Sequence, residues 1–280
     1  MNNKTGLLSG YAPVYKGNLY YEVSGSGKPV LLIHAGVADC SMWEAQLAEF
    51  GAQYKVIRYD TRGNGRTRTE NTQFSNRQDI LDLFNHLGVE KAAIIGISRG
   101  GQIAIDFTIE HPEFVSALVV IAPGISGYEY QAGDDPQAKQ EYELYNRMDE
   151  LWEKKAWEEL ADLQVRVWAD GPAQPEGRAD KKLRSYMREK ILADLHRRDG
   201  KATPIPLSPP AINRLGEINQ PTLTLIGEYD SCAAQAVVDE LECRLPNNRK
   251  VGIPGTAHMI PMEKPDTFNK LVLEFLKEEL

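Results

Sequence analysis

The sequence is poor in cysteine. Cys40, Cys232 and Cys243 are the three in 280 residues, an odd number with neither paired nor metal-type spacing. That excludes a disulfide framework and points to a reducing compartment. Long apolar runs are missing as well: none approaches the roughly 20 residues of a membrane span. The opening Met1-Asn2-Asn3-Lys4-Thr5-Gly6 has no apolar signal core. Positive charge is in deficit, with 32 Lys and Arg against 40 Asp and Glu and a net charge of −8. Such a balance argues against a nucleic-acid or anionic-membrane binder, whose affinity comes from neutralising phosphates. No two histidines share a helix face at i, i+4, so no metal site is expected. A cytoplasmic protein acting on a small molecule is the expectation; oligomeric state is not readable. Apolar residues nevertheless make up 42% of the chain, enough for one large domain with a sizeable core.

What is present reads as alternating strands and helices. Tyr11–Tyr15 and Leu19–Val23 flank the turn Lys16-Gly17-Asn18 as a hairpin. Val30–His34, Lys55–Asp60, Ala92–Ile97 and Val115–Ile121 are short apolar runs of the kind buried on both faces of a parallel sheet. Helical patterns lie between them, one capped by Ser41 and one opening at Ser75 and stopped by Gly88. Residues 125–210 break this order. They lack a strand-like run and carry two charged helical stretches, Gln137–Ala169 and Lys181–Arg198. We read them as a helical cap (lid) inserted into a core formed by 1–124 and 211–280. Trp152, Trp157 and Trp168 lie in the insertion and are expected to pack its own small core; the sharper alternative is that one lines a substrate pocket. Strands resume at Pro221–Gly227 and Lys250–Pro254, and a helix beginning at Lys264-Pro265 ends the chain.

The chemistry concentrates at Gly96-Ile97-Ser98-Arg99-Gly100-Gly101, a G-x-S-x-G pattern with an apolar strand before it and a helix after it. A strand turning sharply into a helix strains its corner residue. Small residues two before and two after the corner allow the close approach. Ser98 then presents its hydroxyl beside a helix N-terminus, which favours developing negative charge. A serine hydroxyl needs a base, and the base needs a carboxylate to orient it. Asp230, with Glu228 as its competitor, lies just past a strand end, and His258 lies in the loop past the last strand. His34, at the end of its strand, is expected to hold the loop that follows. His86, His111 and His196 are expected at the surface. The turn Arg62-Gly63-Asn64-Gly65-Arg66-Thr67 lacks the lysine spacing of a phosphate loop and does not fit a dinucleotide fingerprint, so no cofactor is expected. It is read as a brace for the Ser98 corner.

The segments His34-Ala35-Gly36, Asp60–Gly65, Gly96–Gly101, Gly227-Glu228-Tyr229-Asp230 and Gly255-Thr256-Ala257-His258, in this order, resemble the α/β-hydrolase fold family, in its subgroup with a helical cap. The resemblance spans about Leu19 to Leu276. It departs at Ala35, where the family usually has glycine, and at Thr67, where serine is common. It implies a mostly parallel central sheet with helices on both faces and a triad of Ser98, Asp230 and His258. It also implies an oxyanion hole built from the backbone N–H groups of Arg99 and Gly36, with Val37 the alternative to Gly36. The activity implied is serine hydrolysis of a small or medium carboxylic ester or lactone. Carbon–carbon, amide or thioester hydrolysis, perhydrolysis, and a small-molecule receptor of the same fold are the alternatives.

Overall fold

In the computed structural model, residues 6–197 and 202–280 are described. The chain opens with the antiparallel hairpin β1 (Leu8–Val14) and β2 (Gly17–Ser24). Then come β3 (Pro29–Ile33), α1 (Glu44–Gly51), β4 (Lys55–Tyr59) and two short strands, β5 (Arg68–Thr69) and β6 (Gln73–Phe74). The αβ alternation continues through α2 (Asn76–Leu87), β7 (Ala92–Ile97), α3 (Arg99–Glu110) and β8 (Val115–Ile121). A helical segment follows: α4 (Pro136–Glu153), α5 (Trp157–Val165) and α6 (Lys181–Arg197). The two-residue strand β9 (Thr203–Pro204) leads back to β10 (Thr222–Gly227), α7 (Cys232–Arg244), β11 (Asn248–Ile253), the short α8 (Ile260–Glu263) and α9 (Pro265–Glu279).

The main sheet runs β1-β2-β4-β3-β7-β8-β10-β11. Only the β1–β2 and β2–β4 pairs on this path are antiparallel; the rest are parallel. Every residue of β7 is buried. That explains why the strand reads as a continuous apolar run: helices cover both its faces, so neither face needs polar residues. On one face Trp43, Phe50 and Phe268 pack between α1 and α9, and on the other Phe84 meets Phe107 edge-on at 5.9 Å between α2 and α3. The parallel strands all end on one edge, where the loops after β3, β7, β10 and β11 come together. In open sheets of this kind ligands collect at that edge.

Local details depart from the sequence reading. The first helix is capped by Asp39, not Ser41: the Asp39 carboxylate accepts from the Ser41 N–H and opens a 3₁₀ turn over Cys40–Trp43 ahead of α1. The carboxylate reaches forward two residues to that N–H, whereas the Ser41 hydroxyl itself donates to Asp39. The stretch Gln137–Ala169 is not one helix. It breaks at Lys154–Ala156, where Lys155 has φ of 54°, and its second part ends in a π-helical turn at Arg166–Asp170. Residues 125–210 do hold one short strand, β9, which pairs with β6. The expected helix end at Arg198 and the first residues, Met1–Thr5, lie outside the described residues. Ser75 and Gly88 do cap α2, with Gly88 left-handed at φ of 61°. Among the described residues no helix is long and apolar enough to cross a membrane, and no group of three or more His, Cys, Asp or Glu could hold a metal ion.

Candidate active site

Ser98 sits at the corner between β7 and α3 with φ of 56° and ψ of −120°, a conformation a serine adopts only when its surroundings impose it. The constraint is visible on both sides. The Ser98 N–H donates to Ile121 at the end of β8, 2.8 Å. A Cβ on Gly96 would stand 2.3 Å from the Gly100 carbonyl oxygen, and one on Gly100 would stand 2.4 Å from that of Ile33. Neither contact can be relieved by a side-chain movement, so both positions require glycine.

The loops that carry Asp230 and His258 are built as a pair. The Tyr229 N–H donates to the Thr256 carbonyl at 2.8 Å, and a Cβ on Gly227 would lie 2.1 Å from the Ala257 carbonyl oxygen. This close crossing brings Asp230 and His258 together: His258 Nδ1 lies 2.8 Å from Asp230 Oδ2, with both residues buried. The other Asp230 oxygen accepts from the Ser231 N–H at 2.8 Å. Glu228 is exposed, and its carboxylate instead accepts from the Gly255 N–H at 2.7 Å, bracing the turn before His258.

Ser98, His258, Gly36 and Val37 line one cavity of about 240 Å³. Its remaining walls come from the helical segment: Gln164 and Trp168 from α5 and its π-turn, and Ile191, Asp194 and Leu195 from α6. The Trp168 ring lies 4.8 Å from the His258 ring and 5.9 Å from that of Tyr145. Burial, above all, pushes the Tyr145 hydroxyl up to about 12, so it stays protonated. Arg99 packs its side chain beside Gly36 and donates to the Thr61 hydroxyl and, at 2.5 Å, to Asn64 Oδ1. The glycine turn thus braces the Ser98 corner through Arg99. Asn64 also donates to the Ala38 carbonyl at 3.2 Å and to Asp194 at 2.6 Å, joining the loop after β3 to α6.

His34 is not in the cavity wall. It is fully buried; its Nε2 accepts from the Thr61 N–H at 3.0 Å and its Nδ1 faces the Ala35 carbonyl at 2.7 Å. That pattern fixes the neutral imidazole with its proton on Nδ1. Burial first, and the Arg99 charge second, push its pKa down to about 4. His34 ties the loop after β3 to the loop after β4. His86 and His196 are exposed, whereas His111 is half-buried against Phe107 and Phe114.

The family model described as the alpha/beta hydrolase fold matches residues 28–265. The chain belongs to this family of hydrolases. A 2-hydroxy-6-oxo-6-phenylhexa-2,4-dienoate hydrolase of Comamonas testosteroni is 26% identical, covering 93% of this chain and 91% of that protein. A carboxylesterase of Bacillus subtilis is 23% identical, covering 88% of this chain and 79% of its own length. Among solved structures, the naproxen esterase of Bacillus subtilis superposes with a TM-score of 0.76 at 18% identity, over 98% of this chain and 92% of that one, which speaks for the fold.

Within this hydrolase the residues singled out from sequence fall in two groups. Ser98, His258, Asp230, Gly36, Val37 and Arg99 converge at one end of the sheet. The tryptophans divide: Trp152 and Trp157 pack edge-on against each other at 5.4 Å, while Trp168 faces the cavity. Sequence reasoning held a cavity-lining tryptophan only as the alternative, which Trp168 fits, and missed Gln164 and Asp194 as cavity residues. Gln164 and Trp168 are four residues apart, one turn of helix, but the charged pattern around them marks no particular face.

Proposed function

We propose that the protein hydrolyses a small carboxylic ester or lactone through an acyl-enzyme on Ser98. The observation that carries this reading is one cavity lined by both the strained Ser98 and a His258 whose Nδ1 is held by buried Asp230. With Nδ1 engaged, Nε2 is the nitrogen that takes the Ser98 proton as the hydroxyl oxygen bonds to the substrate carbonyl carbon. His258 then passes that proton to the leaving alcohol. Asp230 fixes the tautomer and stabilises the imidazolium. Water, deprotonated by the same imidazole, attacks the acyl carbon, and Ser98 leaves with a proton. The backbone N–H groups of Arg99 and Gly36 hold the oxyanion, at the end of α3 where the helix dipole favours negative charge. Val37 is the alternative to Gly36, since both line the cavity.

Residues 125–210 act as a cap over the core. Val37, Trp168, Ile191 and Leu195 give the cavity apolar walls suited to an uncharged acyl or alcohol group. A cavity of about 150 Å³ accommodates a benzene, so the 240 Å³ here suits a small ester with a short acyl chain. Hydrolysis of a dienoate, which the Comamonas relative is named for, is the second reading, because the same serine and base could serve it.

A series of p-nitrophenyl esters from acetate to decanoate tests the proposal. We expect turnover to peak at short chains and Ser98→Ala to lower it by about 10⁴ to 10⁶ with the fold retained. A Ser98→Ala protein with near wild-type turnover removes the reading. Turnover of a 2-hydroxy-6-oxo-dienoate with no ester hydrolysis favours the second one.

A further inference from the structure

We propose that Arg178 is a positioning residue of this reaction: its guanidinium holds Trp168 against His258 and locks the acid and base loops to the cap. The inference rests on the reading of Ser98, His258 and Asp230 given above.

Arg178 lies in the connection between the π-turn and α6, outside the cavity wall. Its Nη2 donates to the Ala169 carbonyl at 2.7 Å and to Glu263 Oε2 at 2.6 Å. Its Nη1 donates to the Gly255 carbonyl at 3.2 Å, and its Nε donates to the Asp170 carbonyl. The guanidinium also lies over the Tyr229 ring, 5.2 Å from its centroid. The second oxygen of Glu263 accepts from the Ala257 N–H at 2.9 Å. The partners share one property. Ala169 adjoins Trp168, Tyr229 adjoins Asp230, and Ala257, reached through Glu263, adjoins His258. One planar group therefore fixes the neighbour of each.

The chain is arranged to deliver Arg178 there. Asp170 is fully buried, and its carboxylate accepts from the Gly177 and Ala179 N–H groups, both at 2.9 Å, and pairs with Arg184. That clamp closes the loop carrying Arg178. Gly171, with φ of 96°, lets the turn approach the acid loop: a Cβ there would lie 2.5 Å from the Tyr229 carbonyl oxygen. The Arg178–Glu263 pair is largely withdrawn from water, with side chains 18% and 7% exposed. Only a guanidinium has enough N–H groups in one plane to serve these acceptors together; a lysine is a single point of charge.

A staple of this kind could serve stability alone, so the test must read position. Arg178→Met keeps the aliphatic stem and removes every donor. Displacing a base by about 1 Å costs up to about 100-fold, so we expect kcat on p-nitrophenyl butyrate to fall about 10- to 100-fold. Because the cavity walls remain, KM should stay within about threefold. The emission of Trp168, taken as the difference between each protein and its Trp168→Phe counterpart, should shift to the red as the indole leaves the imidazole. Arg178→Lys should show the same changes at smaller size, and it carries the test if Arg178→Met does not fold. A folded variant with wild-type kcat and wild-type Trp168 emission overturns the proposal. So does a loss of melting temperature with both readouts unchanged. If a fluorophosphonate fails to label Ser98 in the wild-type protein, it is the triad reading that fails, and the Trp168 emission alone then decides whether Arg178 positions that ring.

Discussion

His34 and His258 show how partners decide what an imidazole can do. His34 is neutral, with its pKa pushed down to about 4 by burial and by Arg99. In the unfolded chain the same ring titrates near 6.5. Between those values the unfolded state binds a proton that the native state refuses, so the stability His34 contributes is present above about pH 6.5 and is lost as pH falls toward 4. The loss amounts to at most about 3 kcal/mol. Urea midpoints of the wild type and His34→Gln between pH 4 and 7 check this: the gap should narrow toward pH 4, and a gap independent of pH contradicts the assignment. At Gly227 the limit is steric. Its absent Cβ would fall on backbone oxygens of Thr256 and Ala257, at 2.6 and 2.1 Å. Gly227→Ala should therefore destabilise by about 1–3 kcal/mol and lower kcat as well, since the loops it separates carry Asp230 and His258. Unchanged kcat in the folded variant would show that this crossing does not set their geometry.

At the scale of elements, the sequence was most legible where one physical demand dominates. β3, β7 and β8 are buried on both faces and had to be apolar. The Ser98 corner needs glycines at 96 and 100, and those glycines are what the eye finds. Ser98, Asp230 and His258 stand just past strand ends, so placing the strands placed them too. The helical segment offered no such demand. Its charges satisfy solvent on most sides, and the break at Lys155 and the π-turn at Arg166–Asp170 come from packing that no local pattern encodes. The π-turn nonetheless matters, because it carries Trp168 to the cavity, and such turns recur at functional sites. Trp168→Ala should enlarge the cavity and move the preferred p-nitrophenyl ester to a longer acyl chain. An unchanged chain-length profile would mean that Trp168 does not bound the acyl site.

At the scale of the whole molecule, the helical segment shares an apolar cluster with one face of the core and adds polar contacts to it. Lys190 pairs with Asp39 at 2.9 Å, Tyr186 meets the Ser41 hydroxyl at 2.9 Å, and Glu141 accepts from the Cys232 N–H at 2.8 Å. Burial alone would raise the Asp39 pKa, but hydrogen bonds from Ser41 and Lys190 outweigh it and hold the carboxylate below its ordinary value. Polar attachments of this kind can be broken without unfolding the sheet. Amide hydrogen exchange should therefore show α4–α6 exchanging faster than β3, β7 and β8. Equal protection would mean that the helical segment and the core open only together. The contacts themselves, such as Asn64 with Asp194 across 130 positions, were not legible in the sequence, because each needs the tertiary fold before its partners are neighbours.

The most direct measurement is peptide mapping by mass spectrometry after reaction with a fluorophosphonate. A single adduct on the peptide holding Ser98, formed far more slowly in His258→Ala, is the expected result. An adduct on another residue, or none while esters are still turned over, would contradict a nucleophile at this corner.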